Sequence, residues 1–448
     1  MTDESLIAIA KQYGSPTYVF DTKALRARMH AIGEIFGPKV KLCYSIKANS
    51  FLIPAALQEV ANLEVCSPGE LEICERLQVP MDRVIYSGVN KEPWDVERAV
   101  IHDEVGICTA ESLRHVRLLE AAGAKSGKVV PVLLRLNSGA QFGMSREDLL
   151  SVIRERESYP HLELAGIHYF AGTQRKNKNL HQQKDELEML RQLFNEVREQ
   201  EGFVLRKLEY GPGLPVPLFA DGNYSDTLAP ARELAETLRS VTEWAELTVE
   251  AGRFYAAECG YYITKVVDSK SVDDKNFCIV DGGIHHVNYL GQIMGMKEPV
   301  IRHYRGNGDP DAASEMVEYK RIADNAADVL SMQGAEENEY SQDAAAKAAA
   351  LSENAEEDCA EKEYDLQDWA ICGSLCTTND DLVRSRRMAK PQLGDLLVFE
   401  NIGAYSVTEG IYLFLSRKMP RIVLYNDSSD VQLVRDFTET NPLNTPQL

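Results

Sequence analysis

The chain has 448 residues, 44% of them apolar, which is enough for two hydrophobic cores, so two domains are expected. A formal net charge of −21 argues against nucleic acid as a partner, because phosphate binding needs a basic surface. Because the N-terminus is acidic and no long apolar run is present, we expect neither a signal peptide nor a membrane span. Nine cysteines without zinc-type spacing predict reduced thiols and no metal site, so a cytoplasmic location is expected.

Eight short apolar runs rich in β-branched residues alternate with amphipathic segments in the first part of the chain. They lie at residues 40–46, 63–66, 84–87, 105–109, 129–136, 164–170, 205–210 and 247–249. This alternation is typical of parallel βα units, and eight units over roughly 230 residues match a closed (β/α)8 TIM barrel. We therefore predict an α/β barrel domain over residues 22–260.

Local signals support the helical halves of these units. Ser67 and Glu70 form an S-x-x-E capping box with Pro68 at the first helical position, which predicts a helix from Pro68 to about Leu77. Polar and glycine-rich residues follow the C-terminal ends of the runs, where barrels of this type carry their chemistry. They are Lys47, Asn49, Ser67, Arg135, Asn137, Gly172, Thr173, Gly211, Gly213, Glu250 and Arg253.

After residue 260 the pattern changes to alternating strands, predicted at 261–268, 277–281, 396–400 and 421–425. Residues 1–21 and 261–448 are assigned to this β-domain. Residues 309–368 hold 18 acidic against 4 basic side chains, so −14 of the net charge lies in this stretch. Its lack of apolar periodicity predicts a disordered acidic insertion at about 306–366. An acidic docking arm is the alternative.

Residues 44–49, Tyr-Ser-Ile-Lys-Ala-Asn, resemble the Y-x-x-K-A-N cofactor motif of the fold-type III, alanine-racemase-like decarboxylases, the family of diaminopimelate and ornithine decarboxylases. Segments 141–144, 172–174, 250–253, 281–283, 372–376 and 403–405 resemble later motifs of that family, in order. A lone lysine at a strand end is usually a solvated cation, but the ordered combination indicates a cofactor lysine. The resemblance implies an amino-acid decarboxylase that depends on pyridoxal 5'-phosphate.

The resemblance also implies roles for individual residues. Lys47 carries the cofactor as an imine, and Glu250 keeps the pyridine nitrogen protonated, which makes the ring a strong electron sink. Phe170 stacks on the ring. The phosphate is held by Arg253, Thr173, Tyr405 and the backbone around Gly172, Gly211 and Gly213. Cys376 matches the family's proton-donating cysteine, which is delivered across the interface of a homodimer.

Three positions depart from the family pattern. Pro212 replaces a glycine of the phosphate loop and removes one N–H donor. Phe170 stands where the family has a histidine, so it offers stacking area but no proton. His168 lies on the same side of the strand two residues earlier, and it is predicted to be a packed or hydrogen-bonded residue and not a replacement. Thr377 is the third departure.

Diamino-acid decarboxylases carry Glu or Asp at the position of Thr377, where it pairs with the distal ammonium group of the substrate. A threonine hydroxyl cannot replace that charge, so a free diamino acid fits poorly. Phe170, Thr173, Gln174, His285, His286, Cys376 and Thr377 together resemble the carrier-protein glutamyl decarboxylases of butirosin biosynthesis. The leading substrate class is therefore a carrier-tethered or amide-like amino acid.

Two other interpretations remain open. One is a diaminopimelate decarboxylase of lysine biosynthesis with an altered pocket, and the other is a non-catalytic regulator like the antizyme inhibitors. Retention of Lys47, Glu250 and Cys376 disfavours the regulator. Two basic loops could dock an acidic acyl carrier protein or could be solvated surface, so neither is assigned to the site. They comprise Arg175, Lys176 and Lys178, and Arg384, Arg386, Arg387 and Lys390.

Overall fold

The computed structural model describes residues 1–175, 180–291, 294–306, 319–322 and 365–447. Eight parallel strands close into a barrel in sequential order, and the last pairs with the first through Leu42 and Val249. A short strand, β1 (Thr17–Asp21), precedes them. The barrel strands are β2 (Lys41–Ser45), β3 (Asn62–Val65), β4 (Val84–Tyr86), β5 (Ile107–Ala110), β6 (Val130–Arg135), β7 (Leu162–Phe170), β8 (Lys207–Gly211) and β9 (Glu246–Ala251). The predicted TIM barrel is confirmed.

Helices cover the outside of the barrel, and their apolar faces are buried against it. In α9 the residues Leu234 and Leu238 are buried, and α9 lies beside α2. The helices of the described chain are α1 (Asp3–Tyr13), α2 (Thr22–Phe36), α3 (Ile53–Ala56), α4 (Pro68–Arg76), α5 (Pro93–Glu97), α6 (Leu113–Ser126), α7 (Arg146–Arg154), α8 (Leu180–Gln200), α9 (Ala229–Val241), α10 (Arg253–Ala256), α11 (Ser406–Glu409) and α12 (Asn441–Asn444).

The start of α4 follows the predicted cap with one difference. The Ser67 hydroxyl accepts a hydrogen bond from the Glu70 backbone N–H at 3.2 Å, as the capping box requires. The Glu70 carboxylate accepts instead from the N–H of Cys66 at 2.6 Å, one residue before the cap. Glu70 therefore ties the helix to the end of β3, and both residues serve helix initiation.

A second sheet contains the remaining strands and confirms the C-terminal β-domain. Its main path runs β13-β12-β16-β10-β1-β17-β18, with β11, β14 and β15 attached beside β10. Because β1 pairs with β10 and β17, the N-terminal strand belongs to this sheet. These strands are β10 (Gly260–Val272), β11 (Lys275–Val280), β12 (Ile301–Arg305), β13 (Lys320–Ile322), β14 (Leu366–Cys372), β15 (Asp381–Ala389), β16 (Leu396–Glu400), β17 (Arg421–Asp427) and β18 (Asp430–Arg435).

Residues 320–322 lie within the predicted acidic insertion at about 306–366 but are ordered as part of the β-domain. They form β13, which pairs antiparallel with β12, and Ile322 is buried there. Arg321 forms an ion pair with Asp3 at 3.3 Å, which ties β13 to the N-terminal helix. The rest of the acidic insertion, residues 307–318 and 323–364, lies outside the described residues, and the division of the chain at 260/261 stays a prediction. No helix in the described part is both long and apolar enough to cross a membrane.

Candidate active site

Lys47 follows β2 in a single 3-10 turn, which places its side chain at the carboxyl end of the barrel. Its ammonium donates to Glu64 at 2.8 Å and lies 3.6 Å from Glu250. These carboxylates come from β3 and β9, the two strands that flank β2, and both are almost fully buried. Burial acts to lower the pKa of Lys47, but the two carboxylates outweigh it and hold this pKa well above its ordinary value.

Glu250 is held as a carboxylate by three polar neighbours. One oxygen accepts from the Ser45 hydroxyl at 2.7 Å, and the other lies 3.0 Å from the His168 ring nitrogen Nε2. Burial raises the pKa of Glu250, but Lys47 and His168 outweigh burial and hold it well below its ordinary value. The prediction that His168 is a hydrogen-bonded strand residue is confirmed. Its own pKa is raised because the bond to Glu250 overcomes the effect of burial.

Arg253 opens α10 directly after β9 and brings a cation into the same cleft. Its guanidinium donates to the Tyr289 carbonyl at 2.8 Å and lies 4.3 Å from the centre of the Tyr405 ring. Its Nε is buried and has no hydrogen-bond partner within the described chain. Tyr405 has a positive φ of 70°, and its backbone N–H donates to the Ala48 carbonyl at 2.6 Å. This strained residue is thus fixed beside the turn that carries Lys47.

Gly211, the last residue of β8, and Gly213, in the loop that follows, are both required to be glycine by close steric contacts. A Cβ on Gly211 would lie 2.2 Å from Cδ2 of Phe170, so the aromatic ring packs directly on the Gly211 backbone. Gly213 has a φ of +63°, and a Cβ there would meet the Gly172 carbonyl oxygen at 2.1 Å. Pro212, the departure between them, offers its carbonyl to the side-chain amide of Gln183 at 2.6 Å.

The structure brings together most of the residues that the sequence singled out. The cleft is lined by Lys47, Phe170, Thr173, Gly213, Glu250, Arg253 and Tyr405, with Ser45, Leu214, Ala251, Gly252 and Phe254. Gly172 and Gly211 support this wall through their contacts with Gly213 and Phe170. Cys376 is the exception, because it does not line this cleft of its own chain.

Cys376 lies in the loop after β14 and is exposed. It borders a separate groove that also includes Asp281 and Arg417. The loop is anchored by Asp380, whose two carboxylate oxygens accept from the backbone N–H groups of Ile284 and Leu375, each at 2.7 Å. The structure of one chain therefore holds Cys376 in a defined loop but leaves it outside the Lys47 cleft.

Sequence reasoning missed three buried acids beneath or beside the cleft. Glu64 bonds Lys47, Glu209 lies inside the barrel on β8, and Glu111 forms an ion pair with Arg135 at 2.8 Å. A signal was present, because Glu64 and Glu209 are single acids within apolar runs that form barrel strands. An acid at such a position is desolvated and needs a partner.

Family descriptions match both parts of the chain. "Pyridoxal-dependent decarboxylase, pyridoxal binding domain" matches residues 22–257, more than half of the chain, and "Pyridoxal-dependent decarboxylase, C-terminal sheet domain" matches residues 331–403. The fold and the cleft thus belong to a class of cofactor-dependent lyases. The chain is a member of the pyridoxal-dependent decarboxylase family, an amino-acid carboxy-lyase that uses pyridoxal phosphate, as the sequence motifs predicted.

Individual relatives differ in what they act on. The chain is 25% identical over 453 residues to an L-glutamyl-[BtrI acyl-carrier protein] decarboxylase of Niallia circulans, covering 96% of this chain and 93% of the relative. It is 30% identical to a diaminopimelate decarboxylase of Vibrio cholerae over 62% of this chain and 70% of that one. The crystal structure of a diaminopimelate decarboxylase from M. jannaschii shares the fold, with a TM-score of 0.75 and 20% identity over 98% of this chain and 93% of that chain.

The residues of the cleft fit pyridoxal phosphate. Lys47 offers an amine at the barrel mouth, Phe170 offers a flat apolar face, and the buried Arg253 Nε still lacks an acceptor. Glycine backbone at the loop after β8 allows close approach of a phosphate. The donor set therefore suits a planar aldehyde that carries a dianionic group.

Proposed function

We propose that Lys47 is the residue to which pyridoxal phosphate is covalently attached and that Glu250 faces its ring nitrogen. The bound cofactor supplies an electron sink for cleavage of the bond between Cα and the carboxylate. Support comes from the position of both side chains in one cleft and from the hydrogen bonds that keep Glu250 anionic. An anionic Glu250 can hold a proton on the ring nitrogen, which strengthens the sink.

The opposite end of the cleft is suited to the phosphate. Arg253 provides charge, Thr173 and Tyr405 provide hydroxyl groups, and the loop at Gly213 provides backbone N–H groups. Phe170 fills the stacking position without a titratable group, so it orients the ring and excludes water but moves no proton.

A second copy of the chain completes this site in our proposal, by supplying Cys376 as the proton donor at Cα. The exposed position of Cys376 and its distance from its own cleft support this arrangement. An apolar segment that follows α11 is also exposed, with Leu413, Phe414 and Leu415 each more than 40% accessible. An exposed group of this kind marks an interaction surface, and a homodimer is the simplest assembly that covers it.

The substrate we propose is an amino acid without a free distal ammonium group, of the carrier-tethered glutamyl type. The observation that carries this choice is that the residue beside Cys376 is the neutral Thr377. The Thr377 hydroxyl accepts a hydrogen bond from the Asn379 N–H at 3.3 Å. The nearby Asp380 is 3% exposed and its two carboxylate oxygens accept from backbone N–H groups of the loop, so it is poorly placed to pair with a substrate ammonium. The Niallia circulans relative acts on a carrier-linked glutamyl group and spans almost the whole chain.

The two basic segments contribute less to carrier docking than their sequence suggests, and the second is not a loop, because Arg384, Arg386 and Arg387 lie on strand β15. Arg175 is paired with Glu186 at 2.7 Å, and Arg386 is 2% exposed and paired with Glu298 at 2.7 Å. Both arginines therefore stabilise the fold. Arg384, Arg387 and Lys390 are exposed, so they remain available to an acidic carrier, whereas Lys176 and Lys178 lie outside the described residues.

The test is CO₂ release from the purified holoenzyme with five substrates supplied in parallel. These are free diaminopimelate, ornithine, lysine and glutamate, and glutamyl-loaded acyl carrier protein. We expect release from the loaded carrier at a kcat/KM at least about tenfold above that of any free amino acid, because binding of a remote group contributes to the reaction. Efficient turnover of diaminopimelate would select the diaminopimelate decarboxylase interpretation, and no turnover of any amino acid would select the regulator.

A further inference from the structure

Five ionisable side chains meet inside the barrel beneath the cleft, and four of them are paired. Lys47 bonds Glu64, and His168 bonds Glu250. The fifth, Glu209 on β8, is 1% exposed, and neither of its carboxyl oxygens has a hydrogen-bond partner in the described part of the protein. A buried carboxyl group without partners is costly as an anion.

Glu209 lies next to His168 in the sheet. Their Cα atoms are register partners between β7 and β8. His168 uses Nε2 to bond Glu250, and its other ring nitrogen, Nδ1, is buried without a partner. The carboxyl group thus borders the imidazole that contacts the cleft carboxylate.

Glu209 also lines a cavity of about 490 Å³ at the opposite, amino end of the barrel. Lys41, Lys207 and Glu246, which lie at or near the starts of their strands, line the same cavity and are more exposed. Glu209 is therefore reached by the cavity from one end of the barrel and borders the buried cluster at the other. This position suits a group that exchanges a proton with solvent away from the substrate.

The charge count of the cluster depends on Glu209. When Lys47 and His168 are both protonated, the form that their raised pKa values favour, their charges balance the carboxylates of Glu64 and Glu250, and ionised Glu209 adds one unpaired negative charge. Burial raises the pKa of Glu209 to about 8, and His168 opposes this while Glu250 adds to it. Of the other groups that face the cluster, the Cys43 thiol has its pKa raised by burial and stays neutral, and Arg135 is paired with Glu111.

We propose that Glu209 is a positioning residue for decarboxylation. The buried cluster is neutral when Glu209 holds its proton and carries one negative charge when Glu209 releases it. Glu209 thereby controls the protonation of His168, the residue that bonds Glu250. The proton comes from and returns to water through the cavity at the amino end. The inference builds on the proposed role of Glu250 at the cleft, but it makes statements about the protein without cofactor that can be tested separately.

The first test compares the pH dependence of unfolding for the cofactor-free wild type, Glu209→Gln and the control Glu246→Gln. A carboxyl whose pKa is raised on folding contributes stability that is fully present below its ordinary value of 4.5 and is lost as pH rises through about 8. Glutamine cannot ionise. The denaturation midpoint of Glu209→Gln should therefore rise relative to wild type as pH goes from about 4.5 to about 8 and keep a constant difference above that. Glu246→Gln, 55% exposed, should run parallel to wild type over the same range. A flat difference for Glu209→Gln below about pH 8 overturns the proposal.

A second measurement does not depend on a folded variant. Infrared spectra of wild-type apoenzyme should show the carbonyl stretch of a protonated carboxylic acid at about pH 7, above the pKa of about 6 of Asp380 and Asp103, and its loss as pH rises through about 8. A spectrum without that band overturns the proposal.

The last arm addresses the role in the reaction. The kcat profile of wild-type holoenzyme should contain an ionisation above the ordinary pKa range of a glutamate, which is lost in Glu209→Gln and restored in Glu209→Asp. A profile that is the same in Glu209→Gln as in wild type makes Glu209 structural only and overturns its positioning role. In one outcome the apoenzyme measurements show the ionisation of Glu209 while Lys47→Ala or Glu250→Ala retains turnover. That combination would refute the proposed active site but not the titration of buried Glu209.

Discussion

At the scale of single residues, the side chains that line the cleft could be predicted more easily than the buried side chains that contact them. Lys47, Glu250 and Arg253 follow strand ends and belong to motifs, so they could be predicted from the sequence. Glu64 and Glu209 could not be assigned, because which residues of a barrel strand point inward depends on the tilt and stagger of the closed sheet. Only the structure shows that Glu64 accepts a hydrogen bond from the Lys47 ammonium at 2.8 Å.

Replacement of Lys47 by alanine should abolish decarboxylation, since no other described residue places an amine in the cleft. It should also lower stability by about 1–2 kcal/mol, because Glu64 and Glu250 lose their cation. The cost is below that of a fully buried pair because the Lys47 side chain is 38% exposed. CO₂ release and chemical denaturation measure the two effects.

The matched control is Lys41→Ala, which removes an exposed lysine at the opposite end of the same strand. It should retain wild-type turnover and wild-type stability within about 0.5 kcal/mol. Turnover by Lys47→Ala comparable with the control would refute the attachment role of Lys47.

Thr377→Glu tests the choice of substrate. A carboxylate at this position can pair with a distal ammonium, so activity on diaminopimelate, ornithine or lysine should rise relative to wild type. The same carboxylate brings an unpaired anion to a neutral or tethered substrate, so that activity should fall, each change being about tenfold or more. Thr377→Gln, similar in size but neutral, is the control. Equal gains in activity on diamino acids in both variants would mean that the size of the side chain at 377, and not its charge, determines the choice of substrate.

At the scale of elements, the strands were predictable because each is a short apolar run bounded by a helix signal. Both ends of every predicted barrel strand lie within two residues of the observed bounds. β13 was missed because three residues have no periodicity to detect, and their pairing with β12 depends on contacts far along the chain. The loop that carries Cys376 was recognised by its motif, but not the way in which Asp380 anchors it.

Asp380→Asn should loosen that loop, because the amide offers one oxygen where the structure uses two acceptors. We expect kcat to fall by about 10- to 100-fold through displacement of Cys376, while cofactor binding is unchanged because Asp380 is outside the cleft. Asp381→Asn, at the next residue, should change neither. Burial raises the pKa of Asp380 to about 6, although the two N–H bonds act to lower it. Protonation weakens Asp380 as a hydrogen-bond acceptor, so wild-type kcat should decline as pH falls through about 6. Unaltered kcat in Asp380→Asn would show that the loop does not need this anchor.

At the scale of the whole molecule, the sequence predicted two domains but not how the ends of the chain meet. β1 pairs in parallel with β17, about 400 residues away, from Thr17 with Arg421 to Asp21 with Tyr425. Such long-range pairing leaves no local signal, because neither strand alone indicates its partner. The result is a β-domain that frames the barrel mouth and fixes Tyr405 next to the turn of Lys47.

The same arrangement leaves Cys376 away from its own cleft, and this permits a decisive mixing experiment on the assembly. If each site combines Lys47 of one copy with Cys376 of the other, Lys47→Ala and Cys376→Ala are each inactive alone. After subunit exchange, half of the dimers are mixed, and each of these has one intact site, so about a quarter of wild-type CO₂ release should return.

The control mixes Lys47→Ala with Glu250→Ala. Both residues line one cleft of the same chain, so every site in a mixed dimer lacks one of them and activity should stay absent. Differently tagged copies, recovered together, establish that exchange has occurred. Recovery of activity in the first mixture alone places Cys376 across the interface. Exchange without recovery in either mixture would mean that Cys376 serves the site of its own chain, and the single chain would then hold a complete site.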